Sequence, residues 1–321
     1  MLDKFGRNID YLRVSVTDRC NLRCCYCMPE EGVEQLSRDE ILSLEELERI
    51  IRAGSNAGIR RVRITGGEPL VRRDVSTLIK KVSLMPGIKD ISLTTNAILL
   101  ADLAEELKEA GLKRVNISLD TLMEHKYKEI TRRGSLGRVL VGIEKALALG
   151  LTPVKINVVV QRDFNLDEVR DFIRFTESAP IHVRFIEIMP MGCGGGLSDE
   201  FVSAEEIKKI VSEDYSLVKG ELAGGGPADY FKVEGYHGTV GFIHAISRHF
   251  CARCNRLRLT ADGRLRYCLQ QEQSLDIKGP LRNGAAEAEL VELFGQAVMH
   301  KPAGYRSSEW NKNSLMNTIG G

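Results

Sequence analysis

The chain has 321 residues, enough to bury a large core as one big domain or two ordinary ones. Its 45 basic and 44 acidic residues leave a net charge of +1, which speaks against a general nucleic-acid or membrane-surface protein and leaves any polyanion binding to local patches. No run approaches the roughly 18 apolar residues of a membrane span, and the opening MLDKFGRNID has no apolar signal core, so a cytoplasmic location is expected.

In chain order, Tyr11 to Val16 alternates as a strand and leads into the loop Thr17 to Pro29, TDRCNLRCCYCMP. There Cys20, Cys24 and Cys27 form C-x3-C-x2-C. A four-iron cluster normally takes four thiolates, so three leave one iron open to a ligand that is not protein. A zinc knuckle is the competing reading, because thiolates also suit zinc; no histidine lies between Met1 and His125 to complete one. Cys25 shifts the possible ligand sets.

Leu44 to Ala57 has helical periodicity, with Ser43 as N-cap and Glu46 closing a capping box. Strands follow at Arg61 to Thr65, Asp90 to Thr94, Arg114 to Leu119, Pro153 to Val160 and His182 to Ile188. Helices fall near Val75 to Leu84, Ala101 to Ala110, Leu136 to Leu149 and Leu166 to Glu177, with Gly54, Gly111 and Gly150 as helix-ending glycines. Six β/α units predict an α/β fold with a parallel sheet, too few for a closed eight-stranded barrel: a partial (β/α)6, open TIM-like barrel. The cysteine loop, GGEP (Gly66 to Pro69), TTN (Thr94 to Asn96) and Ser118 with Asp120 all sit at C-terminal strand ends, the face where such barrels carry their sites.

The two-residue strand period puts Lys155 and Asn157 on one face of the fifth strand and Val154, Ile156 and Val158 on the other. Arg13 and Arg63 hold similar places in the first two strands. Such cations are either exposed edge charges or lumen charges converging on an anion such as a polyphosphate.

After the sixth strand the chain turns glycine-rich around Cys193, then carries a helix at Ala204 to Val211 and short strands from Tyr230. Cys251, Cys254 and Cys268 form a second group, C-x2-C-x13-C, with Arg256 and Arg258 on one face of the intervening NRLRL strand. Zinc competes more strongly here, with His249 and His244 close by. Arginines beside a metal site suggest an anionic ligand at an open iron. A helix from Ala286 to Val298 precedes a polar stretch ending in Gly320-Gly321. The expected division is residues 1–215 for the partial barrel and 216–321 for a C-terminal extension carrying the second iron-sulfur cluster.

C-x3-C-x2-C with Tyr26 before its last cysteine, one strand ahead of GGEP, resembles the radical S-adenosylmethionine (SAM) superfamily. That resemblance keeps Cys20, Cys24 and Cys27 and implies that Cys25 is a spare thiol. VTDRCNLRCCYCMP, RITGGEPLVRRD, FCARCNRLRL with Cys268 and the Gly-Gly end together resemble the GTP 3',8-cyclase (molybdenum cofactor biosynthesis protein A) family over nearly the whole chain. The resemblance implies two 4Fe-4S clusters, held by Cys20, Cys24 and Cys27 and by Cys251, Cys254 and Cys268. It implies SAM contacts at Tyr26, Gly67, Ser118 and Met189, and GTP contacts at Arg13, Arg63, Thr94, Lys155, Arg256, Leu257 and Arg258. No side chain acts as a catalyst beyond the cofactor and clusters. Reductive cleavage of SAM would give a 5'-deoxyadenosyl radical that takes hydrogen from C3' of the GTP ribose, and C3' would then attack C8 to give 3',8-cyclo-7,8-dihydro-GTP, the first step of molybdenum cofactor biosynthesis. The implied partners are GTP, an electron donor and a downstream enzyme forming the cyclic pyranopterin; the resemblance allows a homodimer and calls for neither membrane nor nucleic acid. It also implies that the Gly320-Gly321 tail reaches the active site. The alternatives are another two-cluster radical SAM enzyme, such as a peptide modifier, and a non-catalytic zinc-binding adaptor.

Overall fold

Apolar alternation lays the first six strands side by side in chain order: β1 (Tyr11–Ser15), β2 (Arg61–Thr65), β3 (Asp90–Thr95), β4 (Arg114–Ser118), β5 (Val154–Val160) and β6 (Ile181–Glu187). Each pairs in parallel with the next. The computed structural model describes residues 1–191, 199–222, 226–305 and 319; Cys193 and Gly320-Gly321 lie outside the described residues.

The intervening helices are α1 (Leu44–Ala57), α2 (Val75–Ser83), α3 (Leu100–Glu109), α4 (Glu124–Thr131), α5 (Leu136–Ala148) and α6 (Val169–Arg174). The capping box expected at the start of α1 is present: Ser43 Oγ accepts from the Glu46 amide, and the Glu46 carboxylate accepts from the Ser43 amide. Two expectations need correction. Gly54 does not end α1 but lies inside it, and Gly58, at φ +122°, is the cap. The stretch from Leu166 to Glu177 begins as a 3-10 turn, Leu166–Glu168, and its α-helix is only α6. Helix α4 was not expected from sequence.

The C-terminal part adds α7 (Ala204–Asp214), β7 (Leu217–Gly220), β8 (Asp229–Val233), β9 (Thr239–Ile243), β10 (Arg256–Leu259), β11 (Arg264–Arg266), β12 (Ser274–Asp276), α8 (Lys278–Arg282) and α9 (Glu287–Met299). These strands join both edges of the same sheet, giving the order β12-β11-β10-β1-β2-β3-β4-β5-β6-β9-β8-β7. Strand β10 runs parallel to β1 and β9 runs parallel to β6, while the outer strands return antiparallel. The partial barrel is thus widened at each end, and the segment carrying the second cysteine group starts from one edge and finishes at the other.

Helix α9 packs on α1 through Phe294, which is fully buried. A Cβ at Gly54 would stand 2.8 Å from the Phe294 Cζ, so the glycine is what lets the ring seat. Overpacking at such a contact costs about 1–3 kcal/mol. Gly54→Val should lower the stability of the metal-free protein by that amount in urea unfolding with an unchanged slope; unaltered stability would mean that α9 does not rest on α1 in solution.

Candidate active site

The two cysteine groups face one cavity of about 330 Å³. Cys20, Cys24 and Cys27 line it, as do Cys251, Cys254 and Cys268. Cys25 does not; its amide is tied to the Ile130 carbonyl at the end of α4, and it is the one cysteine of the first loop outside the lining. Helix α4 backs this loop, since the Arg23 amide bonds the Thr131 carbonyl and the Arg132 guanidinium reaches the carbonyls of Arg23 and Met28. A larger cavity, about 900 Å³, lies outside the first cysteine loop among five arginines, but it holds none of the cysteines or strand-borne cations. The smaller cavity is therefore the chemical one.

GGEP is stitched to the cysteine loop by backbone bonds, Gly67 to Thr17 at 2.7 Å and Glu68 to Arg19 at 2.8 Å. A Cβ on Gly67 would stand 2.4 Å from the Arg19 carbonyl oxygen, so only glycine permits this approach. Glu68 is buried and accepts from the Leu70 amide, the Thr95 hydroxyl and the Asn96 amide. Burial pushes its carboxyl up to about 7 against those three donors. Asn96 in turn bonds Asn21 beside Cys20, so GGEP, TTN and the cysteine loop form one connected unit. Tyr26 donates to Asp120 at 2.6 Å, and the other Asp120 oxygen accepts from the Val159 amide. Burial pushes Asp120 up to about 6.

Strand register explains the cations. Arg258 on β10 pairs with Arg13 on β1, and Arg13 pairs with Arg63 on β2, which lays three guanidinium-bearing residues across adjacent strands. On the far side Lys155 pairs with His182, and Asn157 pairs with Arg184. Lys155 is wholly buried, 5.6 Å from the Tyr230 ring centre. Burial, then the charges of Arg184, Arg114 and Arg63, push it down to about 6. Burial also draws Arg63 down to about 10 and Arg258 to about 9.

Arg13, Arg63, Thr94, Arg256 and Arg258 all line the cavity, as do Tyr26, Gly67, Ser118 and Met189. Two residues of the implied GTP set do not. Leu257 points into the hydrophobic core, on the strand face opposite Arg256 and Arg258, so only its backbone is near them. Lys155 lies behind the lining rather than on it. Arg184, Asn157 and Lys301 line the cavity without having been singled out as binding residues from sequence. Arg184 donates to the Asn116 side chain at 2.8 Å, and its lumen face follows from the same two-residue period that exposed Lys155.

The residues fit the groups the motifs imply. Buried polar atoms without a partner, Arg13 Nε, Arg184 Nε, Thr94 Oγ1 and Asn157 Oδ1, surround the cavity and call for a polar ligand. The six thiols are free. Burial pushes Cys20 up to about 12, so it needs a strong Lewis acid to become a thiolate ligand. At Cys254 burial acts the same way, but the positive Arg256 and Lys301 override it and hold the thiol at about 6.

Comparison with known proteins separates the remaining readings. The Radical SAM superfamily model matches residues 14–176, and the Molybdenum Cofactor Synthesis C model matches residues 181–307. The chain is 53% identical over 323 aligned positions to the GTP 3',8-cyclase of Moorella thermoacetica and 51% identical over 325 to that of Desulforamulus reducens, covering 100% of each. Among solved structures, Streptococcus suis SuiB bound to precursor peptide SuiA superposes with a TM-score of 0.59 at 15% identity, over 96% of this chain and 76% of that one, a likeness of fold alone. With its paired domains, its two cysteine groups on one cavity and full-length identity near one half, this chain belongs to the GTP 3',8-cyclase family of the radical SAM superfamily.

Proposed function

We propose that this protein converts GTP to 3',8-cyclo-7,8-dihydro-GTP, the first step of molybdenum cofactor biosynthesis. The observation that carries the reading is the placement of both three-cysteine groups on one cavity with a row of buried cations between them. Cys20, Cys24 and Cys27 would hold the SAM-binding 4Fe-4S cluster, and Cys251, Cys254 and Cys268 the second. When bound, the first cluster and SAM supply the reductive bond cleavage that removes hydrogen from the GTP ribose at C3' and so lets C3' join C8.

The chain's own residues bind, orient and exclude water. Arg258, Arg13 and Arg63, with Arg184 across the cavity, present guanidinium donors suited to phosphate oxygens. Arg256 and Thr94 extend that set, and the Leu257 backbone would add to it. Tyr26, braced by Asp120, would meet SAM together with Gly67, Ser118 and Met189. Anchoring the triphosphate holds the ribose within the roughly 3–3.5 Å that a reacting pair requires. Beyond the site, the reading carries an outside electron donor, a downstream enzyme that forms the cyclic pyranopterin, a homodimer as the assembly to look for, and a cytoplasmic location. No helix among the described residues is long and apolar enough to cross a membrane.

Lys155 acts as a charge reserve. Held at about 6, it is largely neutral at pH 7.5 in the folded protein, although its ordinary value is 10.5. A polyanion beside it raises that value again, so binding takes up a proton above pH 6 and takes up less near pH 5.5, where the lysine is already charged. Titration calorimetry in buffers of different ionisation enthalpy should show this uptake at pH 7.5 and its loss in Lys155→Ala; equal proton uptake by both proteins would remove Lys155 from the anion site. The same variant should bind GTP about tenfold more weakly, through loss of a charge that acts from behind the cavity wall rather than by direct contact, while SAM cleavage without GTP persists.

The activity itself is tested by product analysis after anaerobic reconstitution with iron and sulfide. With SAM, reductant and GTP, 5'-deoxyadenosine should form well above the uncoupled level seen without GTP, beside a cyclised nucleotide. SAM cleavage indifferent to GTP would keep the radical chemistry and assign another substrate, and a zinc-bearing, iron-free protein would overturn both.

A further inference from the structure

The segment ahead of β1 lines neither cavity, yet it carries a buried ion pair. Asp3 and Arg7 are 7% and 8% exposed, and the Arg7 guanidinium meets the Asp3 carboxylate at 2.6 Å. The loop between them is built to hold this geometry. The other Asp3 oxygen accepts from the amides of Phe5 and Arg7, both at 2.9 Å, the Asp3 amide bonds the Arg7 carbonyl, and Gly6 takes the left-handed conformation at φ +74°.

With its charge matched locally, Arg7 turns its remaining donors outward. Nη1 bonds the Cys251 carbonyl at 2.8 Å and the Ala303 carbonyl at 3.1 Å, and Nη2 bonds the Pro302 carbonyl at 2.6 Å. Residues 301–305 form a strap behind the second cysteine group. Lys301, also buried, donates to the carbonyls of Arg256 and Tyr267 at 2.8 and 2.7 Å, bracketing that group between Cys254 and Cys268. The Tyr305 hydroxyl reaches the Ala245 carbonyl at 2.8 Å, and its amide bonds the Cys251 sulfur. Arg7 adds a second tie between this strap and Cys251, through the Cys251 backbone, and joins both to the N-terminal loop.

We infer that Arg7, held by Asp3, is a positioning residue for the second cluster: it locks the Cys251 backbone to the 301–305 strap and so keeps that thiol facing the cavity. The role rests on the reading of Cys251, Cys254 and Cys268 as cluster ligands. Arg7 touches none of the reacting atoms and acts only through Cys251. Truncating it leaves the Asp3 carboxylate buried without its counter-charge, takes the guanidinium donor from the Ala303 and Pro302 carbonyls, and leaves the Cys251 carbonyl with the Cys254 amide alone, a local fault beside one cysteine of six.

The test uses the full chain as Arg7→Ala and Arg7→Lys, with two readouts. In the metal-free protein, alkylation of each cysteine is followed by peptide mass spectrometry. In Arg7→Ala, Cys251 should react about tenfold faster, the equivalent of one lost charged hydrogen bond, while Cys20, Cys24 and Cys27 keep wild-type rates. After anaerobic reconstitution, bound iron should fall from about eight to about four per chain, with GTP-independent SAM cleavage retained. Arg7→Lys, whose ammonium keeps three donors and the charge, should restore most of the iron. Unchanged Cys251 reactivity with about eight irons, or equal disturbance of both cysteine groups, would overturn the assignment, the latter by showing a general folding role. If wild type itself binds only about four irons, the two-cluster reading fails, and the Cys251 alkylation contrast alone still decides for or against Arg7 as its anchor.

Discussion

The structure depends on the parallel pairing of β10 with β1. That one register sets Arg258 opposite Arg13 and Tyr11 opposite Arg256, and β1 passes the alignment on to Arg63. The pairing therefore does two things at once: it assembles a row of cations, and it swings the second cysteine group over the cavity that the first cysteine loop already faces. Like charges buried side by side are unfavourable. The protein shows that cost in Arg63 drawn down to about 10, Arg258 to about 9 and Lys155 to about 6, each by burial first, with neighbouring cations adding to it and Tyr11 partly opposing it at Arg63. A bound triphosphate would relieve this opposition, so the same residues that weaken the empty protein are poised to strengthen the complex.

The two cysteine groups sit in different electrostatic settings. Around the first, the thiols are raised: Cys20 is pushed up to about 12 by burial, and Cys24 is raised by its contact with Cys27 first and by burial second. In the second, burial raises Cys251 as well, but Arg256 and Lys301 bring Cys254 down to about 6 in spite of burial. The first group is supported mainly by backbone, with GGEP and α4 packed against the loop. The second is held by charged side chains reaching from far along the chain, Arg7 and Lys301. The difference follows from topology: the first loop is local to its β/α unit, whereas the second joins strands at distant places in the sheet.

Much of this was legible in the sequence. The parallel barrel strands follow from their alternation, and Ser43 with Glu46 announced the start of α1. The family's spacing selected Cys20, Cys24 and Cys27 over Cys25, and of the cysteines in that loop those three line the cavity. What stayed hidden was mostly long-range. No local pattern says that β9 and β10 extend opposite edges of one sheet. Helix α4, EHKYKEIT, carries too few apolar residues to show a period, and it is held by its packing behind the cysteine loop. Gly54 looked like a helix stop because glycine often is one, and only the seat of Phe294 explains it inside the helix. Leu257 came with its neighbours from the family pattern, although the strand period that aligns Arg256 with Arg258 turns it to the core. Arg184 was readable by the argument applied to Lys155 and was passed over.

The central claim is that two separate three-thiolate groups serve one cavity, one for SAM and one beside GTP. Iron analysis with GTP binding and SAM cleavage in the Cys20/Cys24/Cys27→Ala variant addresses it directly. The account predicts about four irons retained on the second group, GTP still bound and SAM cleavage abolished. Loss of all iron, or persistent SAM cleavage, would contradict the division of labour between the two groups.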